Sequence, residues 1–275
     1  MIEIENMSFW YKEKSKVFDS LTMKLEPGKI YGLLGENGVG KTTFLRLIAG
    51  LLFPADGNCK VMDYTPGKRQ PGFLSKIFYL PEEFMVTHQK ADEYARNVGP
   101  FYPNFEYNHY ATLMQEFGVD GEKKLHEMSF GQKKKAMISL ALACNTELLL
   151  LDEPTNGLDI PSKSIFRRVV ARAADENKCI IISTHQVRDL EFLIDPIVIL
   201  ERNNVLLNES VESITRKLKF AVLPYIPEDA LYSEPMMGGY GVVVPNPDGE
   251  ESKVNIELLF NAAIANRARF AEWFN

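Results

Sequence analysis

The stretch that decides the fold is Gly35-Glu36-Asn37-Gly38-Val39-Gly40-Lys41-Thr42, continued by Thr43. It fits the spacing GxxxxGK followed by Ser or Thr, the phosphate-loop pattern. Each residue type has a physical reason. Glycines let backbone N–H groups converge on phosphate oxygens. A helix opening near Lys41 adds its positive N-terminal end. Lys41 is placed to reach β- and γ-phosphates, and the Thr42 hydroxyl to join a Mg²⁺ shell. The pattern means this only between a strand and a helix, and both flanks comply. IYGLL (30–34) is a short apolar run of the kind that forms a buried strand. After the loop, Phe44, Leu45, Leu47 and Ile48 fall at helical spacing, with Gly50 as the stop.

Outward from the loop, Ile2, Ile4 and Met7, then Leu21, Met23 and Leu25, alternate with polar neighbours as half-buried strands do. Residues 51–81 read as loops and short strands. Residues 90–117 read as helical, interrupted at 99–104. A long helix is predicted from Ser129 to about Cys144, then a strand at 148–151, a helix opening near Pro161, a strand at 179–184 and a further helix over 186–194. Strands alternating with helices imply a mainly parallel sheet covered on both faces. After about Leu218 the character changes: five of the 15 prolines fall between Pro224 and Pro247, followed by an apolar helix from about Asn255. This reads as a small α+β appendage, 218–275.

LLLLDE (148–153) puts two carboxylates at the end of a buried strand, the edge where open α/β sheets bind ligands. Asp152 is read as a Mg²⁺ holder through water, and Glu153 as the general base for an attacking water. An ordinary strand end followed by a Pro-containing turn would look the same, were the phosphate loop not beside it.

Composition bounds the alternatives. The chain has 275 residues, 45% hydrophobic and 25% charged, an ordinary globular balance. No apolar run approaches the roughly 18 residues of a membrane span, and MIEIENMSF has no signal-peptide character. Cys59, Cys144 and Cys179 are far apart and odd in number, so neither a disulfide framework nor a zinc site is expected, and a reduced compartment fits. Net charge is −6, which argues against a nucleic-acid partner held by bulk electrostatics. Residues 218–275 hold 4 basic and 8 acidic residues, a net −4, so most of the chain's net negative charge lies there.

MSFGQ (128–132) stands 23 residues before Asp152, counted from Ser129. With it the sequence resembles the ATP-binding subunit of an ABC transporter over about residues 1–215. GENGVGKTT resembles that family's Walker A, LLLLDEP its Walker B, MSFGQ its LSxGQ signature, NGLD (156–159) its D-loop and STH (183–185) its switch-histidine loop. The resemblance implies a RecA-like P-loop NTPase core with an N-terminal β-layer and an inserted helical lobe, about 83–145. It implies ATP hydrolysis with Mg²⁺. It also implies two cassettes, homo- or heterodimeric, packed head to tail, so that Ser129, Phe130, Gly131 and Gln132 serve the partner's nucleotide. Ser129-x-x-Gln132 is equally a helix capping box, and both readings can hold. Met128 stands for the usual Leu, and Phe130 for a frequent Gly. Asp159 would be the D-loop acid and His185 the γ-phosphate contact. Tyr11 would stack on adenine, although Phe9 and Trp10 leave the register open and strand packing is the alternative. Where the family's Q-loop has Gln, KIFYLPEE (76–83) places Glu82, a hard oxygen ligand for Mg²⁺ or one of a solvent-facing Glu pair.

Eight aromatics lie between Phe84 and Phe117, either a lobe core or a groove for a helix of an integral membrane subunit. The Lys133–Lys135 run reads as a solvated helix face. The resemblance implies a peripheral protein on the cytoplasmic face of the membrane, energising transport. PNFEYNHYATLMQEFG (103–118) is similar to a stretch of exporter-type subunits. The competing reading is a soluble ABC-type ATPase acting on ribosomes or DNA. Such relatives carry two cassettes or a long coiled coil, whereas this chain has one cassette and no heptads. A regulatory module that holds ATP without hydrolysing it is disfavoured by Glu153 and His185.

Overall fold

The structure, a computed structural model, describes residues 1–12, 15–85, 87–201 and 203–274. The alternating residues at the N-terminus form β1 (Ile2–Lys12) and β2 (Ser15–Leu25), paired antiparallel. β3 (Lys29–Leu34) leads through the glycine loop into α1 (Lys41–Ile48), and β4 (Asp56–Val61) returns to pair with β1. The resulting layer runs β2-β1-β4. Its inner face carries Ile2, Ile4, Leu21 and Leu25, all essentially without solvent exposure.

The chain then runs α2 (Pro71–Leu74), β5 (Ile77–Leu80), α3 (Ala91–Val98), α4 (Tyr107–Glu116) and α5 (Phe130–Ala143). It continues with β6 (Leu148–Asp152), α6 (Ile160–Ala173), β7 (Cys179–Thr184), β8 (Ile197–Glu201) and β9 (Asn204–Glu209). The six-stranded sheet has the order β5-β6-β7-β3-β8-β9, parallel except for β9. It is covered on both faces, as the continuous apolar strands require. Along β6, Leu148 and Leu150 enter the core under the β-layer and α1, whereas Leu149 and Leu151 enter the core under α5 and α6.

One expectation changes here, and two are made more specific. Residues 186–194 form a single turn, Val187–Asp189, instead of a helix. Phe192 adopts a left-handed φ of 69°, which an α-helix does not accommodate, and the residue before Pro196 is pushed away from helical angles. Pro161 is the second residue of α6, which opens at Ile160 and is capped by Asp159. Most of the aromatics at 84–117 are core: Tyr110 and Phe117 are buried, and Phe84, Tyr94, Tyr102, Phe105 and Tyr107 pack half-buried against them. Phe101 is 75% exposed and is free for contact.

After α7 (Val211–Lys217), the C-terminal part comprises β10 (Leu218–Leu223), β11 (Tyr232–Met236), β12 (Gly239–Pro245), α8 (Ile256–Ala265) and α9 (Arg267–Phe274). Its three strands pair antiparallel in the order β10-β12-β11. α8 packs on β11 and β12, and α9 packs on β9 of the large sheet. Val243, Leu259 and Phe270 belong to the same buried cluster as Leu149 and Ile182, so this part is fused to the sheet's interior. No helix among the described residues is long and apolar enough to cross a membrane.

Helix α1 ends as its sequence suggests. Gly50 is left-handed at φ 67°, and a Cβ there would lie 2.2 Å from the Pro66 carbonyl oxygen. Gly50→Ala is therefore expected to destabilise the fold by about 1–3 kcal/mol, combining the left-handed penalty with displaced backbone. A urea denaturation midpoint, compared with the wild-type chain, measures it.

Candidate active site

Strand register assembles the site. Leu34 pairs with Thr184, and Asp152 with Ser183, so the carboxyl ends of β3, β7 and β6 meet on one edge. Gly35 and His185 therefore follow from adjacent strand ends. Gly38 and Gly40 have φ of 82° and 114°, and a Cβ on Gly40 would meet Val17 and Phe18. Only glycine lets the loop turn there and present its N–H groups at the start of α1. A cavity of about 410 Å³ opens above it, lined by Asn37, Gly38, Gly40, Lys41, Thr42, Thr43, Tyr11, Glu82 and Glu153 among others.

Lys41 is buried, and its Nζ donates to the carbonyls of Gly35 at 2.7 Å and Glu36 at 3.3 Å, with Glu153 Oε1 at 3.9 Å. Burial lowers its pKa, and the nearby Glu153, Asp152 and Glu82 oppose that shift.

Asp152 and Glu153 are nine-tenths or more buried. Ser183 links them: its Oγ donates to Asp152 Oδ1 at 2.5 Å and accepts from the Glu153 N–H at 3.1 Å. Tyr79 donates to Asp152 Oδ2 at 3.3 Å, and burial first, then Asp152, pushes this phenol up to about 12. Glu153 has a left-handed φ of 46°, a strained conformation for a non-glycine residue and one that clusters at working sites. Its carboxylate lies between Lys41 and His185, whose Nδ1 is 2.8 Å from Oε1. Gln186 Nε2 lies 3.5 Å from His185 Nε2. The Glu153 carboxylate can only accept, so Nδ1 is the donor in that 2.8 Å contact.

Glu82 lines the cavity, but its Oε1 accepts from Asn156 Nδ2 at 2.8 Å, which ties it to the 156–159 loop. Asn156 in turn accepts from Gln186 Nε2 at 3.3 Å. Lys134 overturns the solvated-face expectation for 133–135. It has no solvent exposure, and its Nζ donates to the Glu82 carbonyl at 2.8 Å and the Glu153 carbonyl at 3.3 Å. Burial lowers its pKa while Glu82, Asp152 and Glu153 raise it. Sequence reasoning missed this residue, together with Tyr79 and the bridging part of Ser183. The signal was present: Lys134 stands at i, i+4 and i+7 with Ile138 and Ala141, on the buried stripe of α5.

Tyr11 is half-exposed at the rim; its OH lies 3.1 Å from Thr43 Oγ1 and its ring meets Phe9 edge-on. Val39 packs against Gly35, and Glu36 is exposed beside the loop. The signature residues are not brought to this cavity. Ser129 caps α5 in a reciprocal capping box with Gln132. The Phe130 ring lies over Gly157, and Gly131 faces the Gly157 carbonyl, so the signature packs on the 156–159 loop of its own chain. Asp159 caps α6 by accepting from the Ser162 N–H at 2.8 Å, and the Ser162 hydroxyl first, then this N–H, lowers its pKa.

The ABC transporter family model matches residues 18–156, which include the phosphate loop, the signature and both carboxylates. The ABC transporter ATP-binding protein YtrB of Bacillus subtilis is 32% identical over 210 residues, 74% of this chain and 70% of that one. NatA of the same organism, another ABC transporter ATP-binding protein, is 30% identical over 236 residues, 82% of this chain and 96% of that one. A solved structure of an ATP-binding subunit of an ABC transporter has a TM-score of 0.72 at 25% identity, covering 78% of this chain and 92% of that one. The chain belongs to the ABC transporter family, as an ATP-binding subunit with ATPase activity.

Lys134→Met keeps the length of the side chain but leaves two carbonyls unpaired beside two buried carboxylates. Phosphate release from ATP is expected to fall about tenfold, the scale of a lost charge-assisted hydrogen bond. A colorimetric phosphate assay at saturating ATP checks it.

Proposed function

We propose that this subunit drives transport, in the export direction, through a separate integral membrane subunit on the cytoplasmic face of the membrane, with Glu153 as its catalytic base. The observation that carries the reading is Glu153 held between Lys41 and His185 at the meeting of three strand ends. In this reading Gly35 to Thr43 cradle the phosphates, with Lys41 on the β- and γ-oxygens and Tyr11 under the adenine. Glu153 accepts a proton from the attacking water. The water oxygen bonds to the γ-phosphorus as the β,γ-bridging bond breaks, and its electron pair leaves with ADP. His185 orients Glu153 through Nδ1 and approaches the γ-phosphate as the site closes.

The donor set suits Mg²⁺. Thr42, Asp152 and Glu82 offer hard oxygens, and among the described residues no three His, Cys, Asp or Glu side chains form a metal group by themselves. An ion that keeps waters and takes its remaining ligands from substrate phosphates fits such a site. When bound, it would neutralise charge on the β- and γ-oxygens.

Two cassettes would pair head to tail. Ser129 and Gly131, at the exposed start of α5, would then meet the γ-phosphate bound by the partner, and Asp159 would sit at the seam. The α3–α5 lobe, with exposed Phe101 and the nearby Glu82 loop, would receive the membrane subunit. Export is favoured by residues 103–118. The C-terminal part, 218–275, is taken as a separate unit of function added to the cassette at 1–217.

Glu153→Gln is expected to cut ATP turnover by about 10²–10⁴ while ATP binding persists. Phosphate release and fluorescent-nucleotide titration measure the two, and unchanged turnover would remove Glu153 from the role. The transport reading is tested by pulling tagged protein from detergent-solubilised native membranes. A multi-span membrane protein retained stoichiometrically is the expected result. Ribosomes or DNA-bound proteins in its place would support the soluble-ATPase reading.

A further inference from the structure

His185 stands at the end of β7, so its aim depends on the turn that follows, Val187–Asp189. Two helices hold that turn. On one side is α6: Lys163 Nζ reaches Asp189 Oδ2 at 2.6 Å and Gln186 Oε1 at 3.3 Å, and Arg167 donates to the Asp189 carbonyl at 3.2 Å. On the other side is α8 of the C-terminal part. Arg188 Nε and Nη2 approach Glu257 Oε2 at 2.7 and 2.5 Å, and Val187 and Phe260 join the same apolar cluster.

α8 also faces the nucleotide edge itself. A cavity of about 250 Å³ is bounded by Gly35, Glu36 and His185 on one wall and by Glu257, Phe260 and Asn261 on the other. Two more cavities, about 140 and 440 Å³, continue the seam towards Asn255 and Asp195. The contact between α8 and the His185 turn is thus loosely filled, and the Arg188–Glu257 pair is its charged link. α8 is itself fixed. Asn255 caps it, it packs on β11 and β12, and Arg267 of the following α9 pairs with Glu201 at the end of β8 at 2.8 Å.

We propose that α8 braces the His185 turn, and that Glu257 is a positioning residue that acts through Arg188 to hold His185 against Glu153. This rests on the reading of Glu153 and His185 given above. It gives residues 218–275 a role in setting the rate of ATP hydrolysis. Arg188 is solvent-exposed and Glu257 partly so, and such pairs contribute little to stability. Its loss should appear in turnover and not in the melting temperature.

The test is a charge-reversal cycle on the full chain, with Mg²⁺ and ATP, reading kcat, KM and melting temperature. Glu257→Arg and Arg188→Glu should each lower kcat about three- to tenfold, a contact-scale coupling, with KM and melting temperature unchanged. The double variant should recover wild-type kcat. In a His185→Ala chain, Glu257→Arg should have no further effect. Full turnover in Glu257→Arg, no recovery in the double variant, or a further fall in the His185→Ala chain each overturns the brace and leaves the His185 reading standing. Wild-type turnover in His185→Ala alone would remove the His185 reading, and the brace with it.

Discussion

Two carboxylates, Asp152 and Glu153, lie almost out of water at the mouth of a loop shaped for phosphates. Buried charge is costly unless it is paired and hydrogen-bonded, and the local architecture answers that constraint. Lys41 approaches Glu153 from the phosphate loop, and Lys134 approaches its backbone from α5. Ser183 and Tyr79 satisfy Asp152. These groups come from β5, β6, β7, α1 and α5, which makes the parallel register of the sheet a condition of the site as well as of the core. A slip of one residue in β6 against β7 would exchange the two faces of the strand and unpair Asp152 from Ser183.

Much of this was legible in the sequence, because the phosphate loop and the strand-end carboxylates are local patterns with periodic flanks. Short apolar runs such as CIIIST read correctly as strands because both faces of a parallel sheet are buried. Lys134 was hidden for the opposite reason. A run of three lysines suggests water, yet one of them falls on the helical face that continues as Ile138 and Ala141. Residues 186–194 misled through the same periodicity: Val187, Leu190 and Ile194 have helical spacing, but Phe192 and the proline at 196 break the helix. β10 and β11 went unread because α7 runs directly into β10 and a proline, Pro235, lies within β11.

The 156–159 loop accommodates the Phe130 side chain. The ring occupies the space over Gly157, where no side chain competes, and Lys134 Nζ lies 5.7 Å from the ring. A bulky residue here links the start of α5 to the loop that caps α6, instead of intruding on the exposed Ser129 end. The same loop holds Glu82 through Asn156. The carboxylate in place of the family's usual Gln thus has an amide donor of its own.

These ties give the site a direction of coupling. α5 carries the signature at its N-terminus and Lys134 one turn further on, bonded to the Glu82 and Glu153 backbones. A rotation of α5 with its lobe therefore cannot leave Glu153 untouched, since a buried ammonium dragged from its carbonyls would lose charge-assisted bonds with no water to replace them. On the far side, the turn after His185 is held between α6, which Asp159 caps, and α8 of the C-terminal part. Glu153 is thereby referenced to two bodies at once, the helical lobe through its backbone and the histidine turn through its carboxylate. With Glu153 as the base proposed above, hydrolysis would require both to be seated together.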